Sequence, residues 1–205
     1  YKELNTKIII VNDGSTDGTS EIVNDLKIKH PNSIKVLNHD NNLGKGAAIK
    51  TAFQNLESEF VLIQDADLEY DPSDYSKLLK PLLKNQADVV YGSRFLGGQQ
   101  VRVHLFWNYL ANKLLTLTTN ILVNMNFTDM ETGYKAFKKT ALDTITIEEK
   151  SFTFEPEITI KLAKKKFVFY EVPISYNGRS YADGKKIRLK DAFLAFYSLF
   201  KYRFF

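Results

Sequence analysis

The sequence of 205 residues contains no cysteine. That excludes disulfides and thiolate metal centres, so a bound metal would fall to carboxylates, which favour hard ions such as Mg²⁺ or Mn²⁺. No stretch reaches the roughly 18 uninterrupted apolar residues of a membrane span. Leu105–Val123 comes nearest, and Asn108, Asn112, Lys113 and Asn120 interrupt it. There is no internal repeat, no low-complexity segment and no linker that marks an independent second domain. The chain begins at Tyr1 without an initiator Met or a signal-peptide pattern, and it reads as a fragment. What is present is ordinary: 44% hydrophobic and 25% charged residues, enough for a globular core.

The net charge of +4 hides an asymmetry. Residues 161–205 hold 11 Lys/Arg against Glu171, Asp183 and Asp191, whereas residues 1–160 hold 17 against 21 acids. An acidic first part suits a metal site, and a basic, aromatic tail suits phosphates or an anionic surface. A solvated basic face accounts for the same composition.

Lys7–Val11, Ile34–Leu37, Phe60–Ile63 and Asp88–Tyr91 read as short buried strands. Helical spacing lies between them: Ile22, Val23 and Leu26 after an Asp17 N-cap, then Ala48 to Leu56, then a segment opened by Pro72 and kinked or ended by Pro81. This alternation predicts an α/β fold with a parallel sheet covered on both faces. Such folds bind ligands beyond the carboxyl ends of their strands. Asn12-Asp13-Gly14-Ser15, Gln64-Asp65-Ala66-Asp67 and Gly92-Ser93-Arg94 all fall there. The second half is predicted to hold helices over His104–Val123, Glu155–Lys165 and Asp191–Phe205, and a strand over Phe167–Val172.

Two carboxylates two residues apart at a strand end, Asp65 and Asp67, can share a divalent ion that neutralises a diphosphate. A solvated loop with capping aspartates is the plainer alternative. In Asn12-Asp13-Gly14-Ser15 a carboxylate could take a base N–H while Gly14 lets the backbone pass close to a ligand, or the segment is an Asx-turn. Asn42-Leu43-Gly44-Lys45-Gly46 resembles a phosphate cradle at a helix N-terminus, or is a simple helix cap. Glu155 and Glu157 are weaker catalytic candidates, because a helix N-terminus favours acids in any case.

In order, VNDGSTDGT, NLGKGAA, IQDADLEYDP, YGSRF, TDMETGYKAF, FEPEI and EVPISYNGRSYADGKKI make a specific combination. The chain resembles the inverting family 2 glycosyltransferases of the GT-A fold, and among them the dolichol- or polyprenyl-phosphate mannosyl- and glucosyltransferases. The resemblance covers nearly all 205 residues. It implies a Rossmann-like, mostly parallel sheet flanked by helices, with the opening strand missing and an amphipathic helix at the C-terminus. It also implies one catalytic domain over residues 1–205.

The resemblance further implies the site. Asp13, Gly14, Lys45, Asp65, Thr132 and Gly133 would bind the nucleotide sugar, with Asp13 on the base. Asp65, Asp67 and Glu69 would hold Mg²⁺ or Mn²⁺. Asp67, Asp129, Arg94, Arg179 and Lys186 would carry the chemistry, with Asp129 to Tyr134 beneath the donor sugar. Asn12 and Lys135 depart from the family's usual Asp and Arg, and the family arginine before the long helix is Arg102 or has its place taken by His104. The Gln-x-x-Arg-Trp motif of processive synthases is absent.

The expected donors are GDP-mannose or UDP-glucose and the expected acceptor is a polyprenyl phosphate. That acceptor is already an anion, so it needs cations such as Arg94, Arg179, Lys185 and Lys186 more than it needs a base. A soluble enzyme acting on a glycan hydroxyl, or a non-catalytic nucleotide-binding scaffold, are the rival readings. Residues 104–123 and 190–205 are candidate membrane-interface helices, through Leu105, Phe106, Tyr109, Leu110 and Leu114, and through Phe193, Phe196, Tyr197, Phe200 and Phe204. Core or dimer packing explains the same stripes. The expected location is peripheral, on the cytoplasmic face of a membrane, with no nucleic-acid partner and with homo-oligomers compatible.

Overall fold

The structure is a computed structural model, and it describes residues 4–103, 105–178 and 189–205. The chain divides into two compact units, Tyr1–Ser58 with Ile147–Phe154, and Glu59–Thr146 with Glu155–Phe205.

In the first unit β1 (Ile8–Asp13) pairs in parallel with β2 (Ile34–His39), from Ile8 opposite Ile34 to Asp13 opposite His39. Parallel pairing needs a crossover, and α1 (Thr19–Lys29) supplies it. The expected Asp17 N-cap is corrected. Gly18, at φ +82°, holds the cap position, because the chain turns there through a left-handed conformation. Asp17 still accepts the Thr19 N–H at 3.3 Å. α2 (Lys45–Phe53) follows Gly44, and its last residue meets Phe154 edge-on at 6.4 Å.

The second unit is built on a four-stranded sheet in the order β3 (Phe60–Leu62), β5 (Lys135–Lys138), β4 (Val89–Ser93), β6 (Phe169–Pro173). β4 and β6 are parallel, and β5 is antiparallel to both β3 and β4. Three of the four strands therefore share one direction. β5 was not expected from sequence, since four residues bracketed by lysines carry no alternation.

A 3₁₀ turn, Pro72–Asp74, is capped by Asp71, whose carboxylate takes the Ser73 N–H at 2.8 Å. It leads into α3 (Tyr75–Leu83), which ends two residues past Pro81. The Pro81 carbonyl instead receives the N–H groups of Gln86 and Ala87, which turn the chain toward β4. α3 buries Leu78 and Leu82 against Val90, Ala136, Ile174, Tyr134 and Tyr176. Complete burial of one leucine contributes about 1.5–3 kcal/mol.

α4 (Phe106–Val123), α6 (Phe154–Lys164) and α7 (Leu189–Phe204) follow the helical spacing, and α5 (Lys139–Leu142) is a single short turn. A second cluster joins Leu115, Met130, Ile160, Ala195, Leu199 and Tyr202. Phe196 packs against it, so that residue leaves the expected exposed stripe because it lies on the core side of α7. Phe193, Tyr197, Phe200 and Phe204 remain exposed, as do Leu105, Phe106, Tyr109 and Leu114. Among the described residues no helix is long and apolar enough to cross a membrane.

Candidate functional site

In the first unit the site begins at the end of β1. The φ of Gly14 is +70°, and a Cβ there would stand 2.5 Å from the Asn41 carbonyl carbon and 2.7 Å from the Asn42 nitrogen. The glycine is required because the NDGS turn lies against Asn41-Asn42. Asn12 makes the Asx-type bond, its Oδ1 accepting the Ser15 N–H at 3.1 Å, while its amide donates to Ser20 Oγ at 2.9 Å.

Asp13 receives the N–H groups of Leu43 and Gly44 at 2.9 and 2.8 Å. His39 Nδ1 lies 2.7 Å from it, and His39 Nε2 lies 2.9 Å from Thr51 Oγ1. Burial works against the Asp13 charge, yet His39 and the two backbone donors hold its pKa below the usual carboxylate value. The glycine-rich loop thus cradles an anion that belongs to the chain itself. Lys45 is the first residue of α2 and is half-buried.

In the second unit Asp65 and Asp67 lie half-buried on the loop after β3. A Cβ at Gly133 would stand 2.5 Å from Asp65 Oδ2, so only glycine lets the Thr132-Gly133-Tyr134 backbone lie against this carboxylate. Tyr70 extends the junction. Its hydroxyl accepts the Gly133 N–H at 2.8 Å, and its ring stacks on Tyr134 at 4.5 Å. Burial raises the pKa of the Tyr70 hydroxyl, which stays protonated. Gln64 accepts the hydroxyls of both Tyr75 and Tyr134.

Glu69, the expected third metal ligand, points elsewhere in this structure. Among the described residues no three His, Cys, Asp or Glu side chains gather to hold an ion. Leu68 adopts φ +58° and redirects the chain, so Glu69 accepts the Tyr176 hydroxyl at 2.8 Å. Its backbone N–H turns back to Asp67 at 3.2 Å. Beside it a cleft of about 590 Å³ is lined by Leu68, Glu69, Asp71, Arg102, Tyr176 and Asn177. Arg102 donates to the Gly178 carbonyl at 2.8 Å.

Arg94, at the end of β4, forms a two-pronged ion pair with Asp129. Nε donates to Oδ2 at 2.6 Å and Nη2 to Oδ1 at 2.7 Å, and the Arg94 backbone N–H adds a third bond at 3.0 Å. Asp129 is fully buried and the Arg94 side chain is 9% exposed. Burial opposes both charges, but each holds the other ionised: the Asp129 pKa is lowered and that of Arg94 is raised. The guanidinium carbon also sits 5.1 Å from the Tyr176 ring centroid. Arg94 is therefore one half of a neutral pair rather than an isolated cation.

Thr132 and Lys135 close the loop from within, since buried Lys135 donates to the carbonyls of Met130 and Thr132. Glu131 has one buried carboxylate oxygen without a partner, and burial with nearby Glu155 pushes its pKa up to about 8.

The structure thus brings Asp65, Thr132 and Gly133 together, and it binds Arg94 to Asp129. Asp13 and Gly14 meet the loop before Lys45. Arg179, Lys185, Lys186 and His104 lie outside the described residues. Glu155 and Glu157 are buried, and Glu157 pairs with Lys161 at 2.6 Å. Sequence reasoning missed Tyr70, Gln64, Thr128 and Glu171. A single acid inside the apolar run Phe167–Ile174 is the signal for Glu171. Tyr70 and Gln64 lie inside the IQDADLEYDP motif, which is their signal.

The chain is similar to known proteins over most of its length. The profile of Glycosyl transferase family 2 matches residues 2–146. A dolichyl-phosphate beta-glucosyltransferase, ALG5D of Trichomonas vaginalis, is 30% identical over 201 residues, covering 92% of this chain and 59% of its own length. A polyprenol monophosphomannose synthase of Mycolicibacterium smegmatis is 29% identical over 178 residues, covering 84% of this chain and 67% of its own. The chain therefore spans about three-fifths to two-thirds of these relatives.

Among solved structures, glucosyl-3-phosphoglycerate synthase from Mycobacterium tuberculosis with Mn²⁺, UDP-glucose and phosphoglyceric acid gives a TM-score of 0.65 at 16% identity, covering 95% of this chain and 68% of that one. The same enzyme with Mg²⁺ and UDP gives 0.68 at 16% identity, covering 95% and 67%. These two share the fold. With its profile match and its 30% identical relative, the chain belongs to glycosyl transferase family 2.

Proposed function

We propose that the protein transfers a hexose, mannose or glucose, from GDP-mannose or UDP-glucose to a polyprenyl or dolichyl phosphate, with inversion at the anomeric carbon. The observation that carries this reading is the junction at Gly133, where the missing Cβ lets Asp65 lie against the loop that also carries Asp129 and its partner Arg94. One loop thereby links the carboxylate motif to a buried guanidinium. The names of the two relatives, each a transferase to a polyprenol or dolichol phosphate, support the acceptor class.

In this reading an acceptor phosphate oxygen attacks the anomeric carbon as the bond to the donor diphosphate breaks. The acceptor is already ionised, so the site needs positioning and charge compensation more than a base. Thr132 and Gly133 would form the floor beneath the sugar, and Asp129 would orient Arg94 toward the phosphates. Asp13 would hold the Leu43-Gly44 turn in shape for the nucleotide.

The donor set fits a divalent cation: Asp65 and Asp67 offer oxygen ligands only, and Mg²⁺ or Mn²⁺ keeps waters and takes phosphate oxygens alongside one or two carboxylates. Such an ion, held by Asp65 and Asp67, would supply charge stabilisation to the leaving diphosphate. The exposed aromatic residues of α4 and α7, with Lys201 and Arg203 near the chain's end, suit peripheral contact with an anionic membrane surface.

The test is a panel of labelled nucleotide sugars with polyprenyl phosphate, run with and without Mg²⁺ or Mn²⁺. One donor should yield a chelator-sensitive lipid-phosphate hexose. Transfer only to glycan hydroxyls, or no transfer from any donor, contradicts the proposal.

A further inference from the structure

Thr128 and Asp129 sit in a cage of bonds that the proposed chemistry does not use directly. Both carboxylate oxygens of Glu171, on β6, receive the Thr128 N–H, at 3.0 and 2.8 Å. The Asp129 N–H donates to Oε1 at 3.1 Å and the Thr128 hydroxyl to Oε2 at 2.9 Å. The same hydroxyl lies 2.6 Å from Ser93 Oγ, and the Thr128 carbonyl accepts Lys113 Nζ at 3.1 Å. Glu171 stands opposite Tyr91 in the β4–β6 register, so one strand pair carries both Glu171 and the Ser93-Arg94 end of β4.

Two successive backbone N–H groups aimed at one carboxylate fix the peptide orientation at 128–129, and with it the direction in which the Asp129 side chain leaves the loop. Asp129 in turn sets Arg94 through the three bonds described above.

We infer that Glu171 is a positioning residue for the transfer reaction, acting through Thr128 and Asp129 on the guanidinium of Arg94. Every group it meets here is a donor, so the position calls for an acceptor-only side chain. A glutamine keeps the shape but presents an NH₂ to at least one of these donors. The inference rests on the functional reading in which the Arg94–Asp129 pair serves the reaction.

The experiment compares wild type, Glu171→Gln and Thr128→Val, the last keeping both backbone N–H groups and losing only the hydroxyl. Three readouts are taken: kcat and donor KM separately, thermal midpoint, and the ¹H–¹⁵N signal of Arg94 Nε–H with its exchange rate. Displacements near 1 Å cost catalysis about a hundredfold. Glu171→Gln should lower kcat roughly tenfold to a hundredfold, leave donor KM nearly unchanged, and shift and speed the exchange of the Arg94 signal. Thr128→Val should show the same pattern more weakly.

Should Glu171→Gln fail to fold, Thr128→Val decides by the same measures. A lowered midpoint with wild-type kcat and an unmoved Arg94 signal overturns the inference and leaves Glu171 a packing residue. Absence of transfer by wild type overturns the functional reading instead, and the Arg94 signal then decides the clamp by itself.

Discussion

Asp13 in the first unit and Asp129 in the second are both held below the ordinary aspartate pKa, and by different means. Asp13 in the first unit keeps 19% of its side chain exposed and is balanced by two backbone N–H groups and an imidazole. Asp129 in the second unit is fully buried and is balanced by a whole guanidinium. Near the surface, oriented dipoles at a helix N-terminus suffice, because water still shares the load. In the interior an anion needs a counter-charge with matched geometry, since desolvation costs several kcal/mol per ion. The first arrangement shapes a loop, and the second holds a cation in one place.

The sharpest way to break this contrast is Asp129→Asn, which leaves Arg94 charged and buried without its partner. The expected loss is about 3–5 kcal/mol in denaturant unfolding of the second unit. A loss below ~1 kcal/mol would mean that the pair behaves as an exposed one. Asp13→Asn should cost less, about 1.5–3 kcal/mol, the scale of hydrogen bonds to a charged group. Its pH signature has a definite sign. Because the folded pKa of Asp13 is depressed, its contribution is present above the usual value of 3.8 and is lost as pH falls through the folded value. The gap between wild type and variant should therefore close in acid. A gap that stays constant across that range removes ionisation from the account.

Glu131 sharpens the contrast from the other side, as a buried carboxyl without a matched cation. Its folded pKa, near 8, lies above the ordinary 4.5, so its cost to stability grows as pH rises from about 4.5 to 8 and is constant beyond. Glu131→Gln should raise the melting temperature over wild type at pH 9 and hardly at pH 4. Equal shifts at both pH values would contradict this. The smallest stability effect belongs to the exposed face of α7. Phe193→Ser with Phe204→Ser should stay within about 0.5 kcal/mol of wild type, as surface substitutions do. The same variant should lose most of its binding to vesicles containing anionic lipid, and undiminished binding would remove α7 from the membrane reading.

The two units also show what could be read from sequence. In the first unit the two turns were legible from glycines at positions the backbone demands, but their meeting was not, because Asp13 takes the N–H groups of Leu43 and Gly44 about thirty positions further along the chain. The strands β1 and β2 are β-branched runs ended by turn residues. The second unit was legible at Asp65-Ala66-Asp67 and in the loop from Asp129 to Gly133, because these motifs are contiguous. Their meeting was not legible, since it depends on Gly133 pressing against a carboxylate 68 positions earlier in the chain, where spacing carries no information. β5 was hidden for a related reason. Lys135 at its start is fully buried, satisfied by two carbonyls of its own loop and by the Tyr91 ring at 4.4 Å. A lysine reads as surface until those partners are known. The longer helices were found to within a few residues because their apolar spacing is long, with errors at caps such as Gly18, while the single turn of α5 was not read.

The most direct test of the account is transfer of labelled hexose to polyprenyl phosphate by wild type and by Asp67→Ala across a Mn²⁺ and Mg²⁺ titration. Wild type should transfer only with metal, with the variant down at least a hundredfold, the scale on which charge-stabilising groups act. Equal, metal-independent activity of the two proteins with every donor would contradict it.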